Sequence, residues 1–302
     1  MFRALSSLIL LGLVVTSEAS EPAHVEKNIV YGMYSGLALL MDVHHPASVN
    51  GYGVIFISGS GWQAPMTYGA TGLKENQIDI WGPPLLQAGY TVFAINHRAA
   101  PRFHYPAAVE DVQRAVRFVR HHAKDYGIDP ARLGGIGGSS GGHLIGLVAM
   151  LAAPGNPDDA DAVNHEPATL QTVVLRATPS DLRLLSRREV VSFMERLSDS
   201  TPDDKVVYSA ASPITHVSKS SPPVLLMHGD SDDVVPYEQS VAMEAALKAA
   251  GATVKLVTIP GGEHGPNFGA PNKPHAQLPE AFKETVSWLD THLKSRASEL
   301  KR

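Results

Sequence analysis

The run Gly137-Gly138-Ser139-Ser140-Gly141-Gly142-His143 carries the densest chemistry in the chain. Glycines flanking a serine allow a turn too tight for side chains, and a serine presented there becomes a nucleophile when a base is within reach. The apolar stretch from Leu144 to Ala153 reads as a helix. The amides and partial positive charge at its N-terminus would face an oxyanion forming beside the serine. Two registers fit: Gly137 and Gly141 bracket Ser139, while Gly138 and Gly142 bracket Ser140. Spacing leaves both open. A glycine-rich turn that opens a helix also suits a phosphate. However, no Lys-Ser/Thr pair closes this loop, and no Gly-x-Gly-x-x-Gly with a ribose-binding acid follows.

A nucleophilic serine needs a base, and the base needs an acid to orient it. Val224 to Met227 reads as a buried strand, and it runs into His228-Gly229-Asp230-Ser231-Asp232-Asp233. Ile259 ends another strand ahead of Gly261-Gly262-Glu263-His264-Gly265. The order serine, acid, histidine is that of a nucleophile-elbow fold, and both loops follow strand C-terminal ends, where open α/β sheets place their ligands. His264 is the candidate base. Any one of Asp230, Asp232 and Asp233 has the chemistry to orient it, the other two then being turn or cap residues. His228 reads as a packing residue at a strand end. Ser58-Gly59-Ser60-Gly61-Trp62 follows the strand at Val54 to Ile57 and is placed to supply backbone donors to an oxyanion. The pairs His44-His45 and His121-His122 suggest a metal only superficially, since adjacent side chains on a strand or helix point apart.

The elements that must hold these residues alternate along the chain. Val54 to Ile57, Tyr90 to Asn96, Leu133 to Gly138, Val173 to Ala177, Val224 to Met227 and Val254 to Ile259 read as strands. Pro106 to Ala123, Leu144 to Ala153, Glu238 to Ala250 and Leu278 to Leu293 read as helices with one apolar face. That alternation predicts an α/β fold, a mostly parallel sheet covered by helices on both sides. Val25 to Tyr31 and Leu37 to His44 form an antiparallel lead-in. Pro154 to Pro167 reads as a surface loop, and residues 182–217 as a small lid over one sheet edge.

Composition narrows the function classes. Apolar residues make up 44% of the 302, enough for a large core, and charged residues only 18%, too few for a disordered chain. The net charge of −5 and the lack of a basic run argue against a nucleic-acid partner. No cysteine is present, which removes disulfides, thiolate metal sites and a cysteine nucleophile together. Arg3, an apolar stretch from Leu5 to Val15 and Ser17-Glu18-Ala19 form a signal-peptide pattern with cleavage after Ala19. The expectation is a mature chain of residues 20–302, a single domain that is secreted or periplasmic, with no stable membrane insertion once the leader is removed.

Taken together, these motifs resemble the α/β-hydrolase fold carboxylesterases, in the group that includes hormone-sensitive-lipase-like and feruloyl-esterase-like (BD-FAE-type) enzymes. The family's His-Gly-Gly-x-Trp oxyanion turn resembles Ser58 to Trp62, with Ser58 in place of histidine and Ser60 in place of glycine. Its Asn-Tyr-Arg-x-Ala-Pro segment resembles Asn96 to Pro101, and its Phe-Pro-Ala-x-x-Glu-Asp helix start resembles Tyr105 to Asp111. Its Gly-x-Ser-Ala-Gly-Gly-His elbow aligns on Gly137 to His143, with Ser140 replacing alanine. Its His-Gly-x-x-Asp-x-x-Val-Pro acid loop aligns on His228 to Pro236, and its Gly-Gly-x-His-Gly aligns on Gly261 to Gly265, so the resemblance selects Ser139 as nucleophile, Asp232 as acid and His264 as base. It implies an oxyanion hole made by the amides of Ser60, Gly61 and Ser140, and acyl transfer without cofactor or metal. The implied substrate is a small ester or an esterified carbohydrate, with acetyl or feruloyl groups. A serine peptidase resembling prolyl-oligopeptidase catalytic domains is the alternative, though those usually carry a large N-terminal propeller. A relative without catalysis is the third. Arg98 and Asp111 are expected to form a structural ion pair.

Overall fold

In the computed structural model, which describes residues 23–68, 72–185, 194, 204–270 and 273–294, eight strands form one sheet. They are β1 (His24–Tyr34), β2 (Leu37–His45), β3 (Gly53–Ile57), β4 (Thr91–Ile95), β5 (Leu133–Gly138), β6 (Thr172–Arg176), β7 (Val224–Gly229) and β8 (Val254–Ile259). Their order across the sheet is β1-β2-β4-β3-β5-β6-β7-β8. The lead-in strands β1 and β2 pair antiparallel with each other, and β2 pairs antiparallel with β4. From β4 to β8 every pairing is parallel.

Alternation along each strand feeds two cores. Ile55, Ile57, Val173 and Leu175 face one side with Val112, Val116 and Leu147. Val54, Phe56, Val174 and Met227 face the other with Trp81, Trp288 and Leu289. The first core is covered by α2 (Ala107–His121), α3 (Ser140–Leu151) and α5 (Glu238–Ala249), the second by α1 (Ile78–Gln87) and α6 (Leu278–Lys294). A short helix α4 (Asp204–Ala210) lies between β6 and β7 in the chain. Each fully buried Val, Leu or Ile contributes roughly 1.5–3 kcal/mol, so both helical layers are held mainly by apolar burial. The architecture is the expected α/β one, a mostly parallel sheet with helices on both faces.

Two helices depart from the sequence expectation. Ile78–Gln87 is helical although it contains Pro83 and Pro84, residues that oppose a helix interior. It forms because Trp81 and Leu85 become fully buried against the sheet. The elbow helix begins at Ser140 rather than Leu144, so its first turn includes Gly141 and Gly142. The Pro154 to Pro167 stretch is a loop as expected, with one short 3-10 turn at Ala162–His165. It is held down by the guanidinium groups of Arg114, Arg117 and Arg120 on α2.

The leader expected at residues 1–19 lies outside the described residues, as does much of the 182–217 stretch. Its described parts are 3-10 turns at Leu182–Leu184 and Pro213–His216 and the helix α4. Pro213 packs on α3 beside Gly146. Among the described residues no helix is long and apolar enough to cross a membrane.

Candidate active site

The loops that follow β3, β5, β7 and β8 meet at the C-terminal edge of the sheet. Ser139 directly follows β5 with φ 52° and ψ −126°, a strained conformation for a residue with a Cβ. Its N–H donates to the carbonyl of Arg176 on β6 at 2.8 Å, which fixes the turn. The turn also needs its glycines: a Cβ on Gly137 would lie 2.4 Å from the Gly141 carbonyl, and one on Gly141 would lie 2.2 Å from that of Ile57. This near-contact of backbones lets helix α3 begin immediately after Ser139.

Of the two registers, the structure turns Ser139 toward the histidine. Its hydroxyl lies 3.2 Å from His264 Nε2. His264 Nδ1 donates to Asp232 Oδ2 at 2.8 Å, leaving Nε2 to accept the Ser139 proton. Ser140, by contrast, is buried, and its Oγ accepts the N–H of Ser60 at 2.9 Å.

Asp232 is the one of the three loop aspartates that reaches His264. Its Oδ1 accepts the N–H groups of Val234 and Val235 at 2.9 and 2.8 Å. Its Oδ2 also accepts from His228 Nε2 at 3.1 Å. Burial pushes the Asp232 pKa up, but the hydrogen bonds from His228, His264 and Val235 outweigh it and hold the carboxyl well below the usual range. Asp230 is exposed and its carboxylate accepts from Gly261 N–H at 2.6 Å, tying the acid loop to the histidine loop. Asp233 is exposed.

His228, read from sequence as packing, has a more specific position. It is fully buried, its Nδ1 accepts from Ser240 Oγ at 2.7 Å, and its Nε2–H is shared between Asp232 and the Val235 carbonyl at 3.0 Å. The sequence signal was the His-Gly-x-x-Asp spacing from His228 to Asp232, which the resemblance used to select the acid and not to give His228 a role.

The turn after β3 is held by backbone and amide contacts. Ser58 Oγ donates to the Asn76 carbonyl. Asn76 Nδ2 and Gln77 Nε2 both donate to the Gly59 carbonyl, at 3.0 and 3.2 Å. Positive φ falls on Gly61 and Trp62, at 61° and 58°, and not on Ser60. Serine in place of glycine therefore brings no left-handed strain at position 60. Trp62 is fixed by its indole Nε1, which donates to His143 Nδ1 at 3.0 Å. His143 Nε2 in turn donates to the Ala211 carbonyl at 2.7 Å. Burial pushes the His143 pKa down to about 4, only partly opposed by that carbonyl, so the ring is neutral at physiological pH. Ser60, Gly61 and Ser139 line one cavity of about 300 Å³ with Gln77, His264 and Arg176. Arg176 was missed in the sequence, where it reads as the end of an apolar strand. Beside the site, Arg98 is paired with Asp111 as expected, its Nε lying 2.8 Å from Oδ1, and both are buried.

Residues 41–247 match the family model described as BD-FAE. Over 186 residues the chain is 33% identical to the protein named Esterase LipQ of Mycobacterium tuberculosis, a match covering 60% of this chain and 44% of that one. The chain spans about half the length of the curated relatives it matches. Among solved structures it is similar to a truncated carbohydrate esterase from gut microbiota, at TM-score 0.73 and 27% identity, over 92% of this chain and 99% of that chain. It is also similar to an acetyl ester-xyloside bifunctional hydrolase from Caldicellulosiruptor lactoaceticus, at TM-score 0.71 and 26% identity, over 83% of this chain and 88% of that chain.

Proposed function

The chain belongs to the BD-FAE family, and from that premise we propose that it is a serine carboxylesterase acting on short acyl esters, acetyl or feruloyl esters of carbohydrates among them. The observation that carries this reading is the unbroken hydrogen-bonded line Asp232–His264–Ser139, whose Ser139 and His264 line the cavity. Ser139 Oγ attacks the ester carbonyl as its proton passes to His264 Nε2, and Asp232 stabilises the resulting imidazolium. Backbone N–H groups of Gly61 and Ser140, with that of Ser60, stabilise the tetrahedral oxyanion. The C–O bond to the alcohol breaks, His264 protonates the departing alkoxide, and an acyl-serine remains. Water, deprotonated by His264, then attacks the acyl-serine and releases the acid and free Ser139.

The signal-peptide pattern of residues 1–19 supports export, with cleavage after Ala19 and residues 20–302 as one α/β-hydrolase domain. The names of similar proteins, esterases and carbohydrate esterases, support the substrate class.

The test is a hydrolysis panel of short p-nitrophenyl esters, acetylated xylan, feruloyl sugars and a proline-anilide peptide, run with wild type and Ser139→Ala. Ester turnover is expected, and it is abolished in Ser139→Ala. An organophosphate adduct, mapped by mass spectrometry, is expected on Ser139. An adduct on Ser140, or turnover of the anilide alone, would overturn the reading.

A further inference from the structure

The cavity beside Ser139 holds a charge that the acyl-transfer chemistry does not use. Arg176 ends strand β6 with its side chain 1% exposed. Its guanidinium carbon lies 4.0 Å from the centre of the Trp81 ring, and Nη1 makes one long hydrogen bond, 3.4 Å, to the Pro266 carbonyl. Nε and Nη2 are buried with no hydrogen-bond partner among the described residues. Burial pushes the guanidinium pKa down to about 9, with no acid among the described residues offsetting it, and the group stays cationic at neutral pH. A buried cation without a counter-charge is among the most unfavourable arrangements in a protein interior, and stacking on one indole offsets only part of that cost.

The position of this cation is specific. Gly138, paired with Arg176 across β5 and β6, is the residue before the nucleophile. A Cβ on Gly138 would come within 2.8 Å of Nη2, so the guanidinium occupies the space that a side chain there would fill. Arg176 lines the same cavity as Ser139 and His264. A planar guanidinium with two unmatched donors fits the two oxygens of a carboxylate.

We propose that Arg176 is a specificity residue that binds a carboxylate on the substrate, so that the site takes esters carrying a free carboxylate a short spacer away from the scissile carbonyl. The carboxylate has two possible sources: the acyl part, as in the half-ester of a short dicarboxylic acid, or the alcohol part, as in an acylated hydroxy acid or uronic-acid sugar. The inference rests on the esterase reading above.

The experiment measures kcat and KM by pH-stat for two pairs of esters. Monoethyl succinate against ethyl butyrate tests the acyl side, and O-acetylglycolate against propyl acetate tests the alcohol side. In one pair wild type is expected to favour the carboxylate ester by about 10- to 100-fold in kcat/KM, mostly through KM, the range for a hydrogen bond to a charged group. The pair that shows it identifies the side. Arg176→Met is expected to abolish that ratio, and Arg176→Lys to keep part of it. If Arg176→Met does not fold, inhibition of wild type decides: free succinate or glycolate should compete with the neutral ester. Turnover of both neutral esters with no carboxylate preference and no such inhibition overturns this inference alone. Failure to cleave any of the four esters overturns the esterase reading and this inference with it.

Discussion

Asp232 and His264 form one half of the site, and the turn from Ser58 to Trp62 forms the other; the two are held by different means. The Asp232 carboxylate accepts four hydrogen bonds, from Val234, Val235, His228 and His264. Three of those partners lie within four residues of it. The turn is instead placed by contacts from far along the chain. Ser60 meets Ser140 across 80 residues, and Trp62 meets His143 across 81. A locally closed acid loop leaves little freedom in where the carboxylate points. A turn set by distant side chains can be retuned by a substitution in another element, and Ser140 is where this chain departs from the alanine of the family it resembles.

The sharpest way to break this comparison is at the acid. Asp232→Asn keeps the shape but reverses the proton demand on His264 Nδ1, and kcat should fall on the order of 10⁴-fold, as where a triad loses control of the histidine tautomer. Asp230→Asn and Asp233→Asn, both exposed, should stay within a few-fold, since surface substitutions rarely cost much. Steady-state kinetics of the three variants checks this. An equal loss in Asp230→Asn would mean that the link from Asp230 to Gly261, not the Asp232 bonds, sets the histidine.

On the other side, His143 is expected to make the turn from Ser58 to Trp62 sensitive to acid. Its folded pKa of about 4 is below the unfolded value of 6.5. Between those values the unfolded chain binds the proton and the folded chain does not, so stability falls as pH drops from about 6.5 toward 4. A shift of that size corresponds to roughly 3 kcal/mol. His143→Gln removes the titration, and its amide can still accept from Trp62 and donate to Ala211. Its thermal midpoint should therefore lose less than that of wild type between pH 7 and pH 4.5. His44 and His97 are also shifted down by burial, so the difference between the two proteins is the informative quantity. Equal slopes would mean that the pillar under Trp62 is not what acid attacks.

What was legible in the sequence follows the same divide. Strands β3, β4, β6 and β7 announced themselves because a strand buried on both faces is a short apolar run between turn residues, whereas β8 is a half-buried edge strand and β5 is glycine-rich. The elbow, acid loop and histidine loop were visible because their constraints are local: glycines where backbones touch, an aspartate capping its own loop. Helix α1 was not, because Pro83 and Pro84 oppose it and only the burial of Trp81 and Leu85 makes it form. The start of α3 was placed too late for a related reason. Gly141 and Gly142 are poor helix formers, present for close backbone approach rather than propensity. Arg176 was hidden because its significance depends on Trp81 and Pro266, each about 90 residues away. One arginine at the end of an apolar strand carries no spacing that would reveal them.

The smallest expected effect is the most direct probe of the oxyanion half. In this structure the Ser60 N–H donates to Ser140 Oγ, so it must give up that bond to donate to an oxyanion. Ser140→Ala keeps the Ser140 N–H and removes only the hydroxyl. With its partner gone, the Ser60 N–H no longer has a bond to break in the transition state. A net hydrogen bond is worth about 1 kcal/mol, so kcat on a short neutral ester should rise about fivefold. Propyl acetate is the suitable substrate, because it carries no group for Arg176 to hold. Ser60→Gly serves as the control: it retains the N–H and should change kcat little, provided the melting curve shows a folded protein. A fall of about 10²–10³-fold in Ser140→Ala would instead make the Ser140 hydroxyl itself an oxyanion donor, as in sites where deleting one donor has that cost. An unchanged kcat would remove Ser60 from the donors and leave the oxyanion to Gly61 and Ser140.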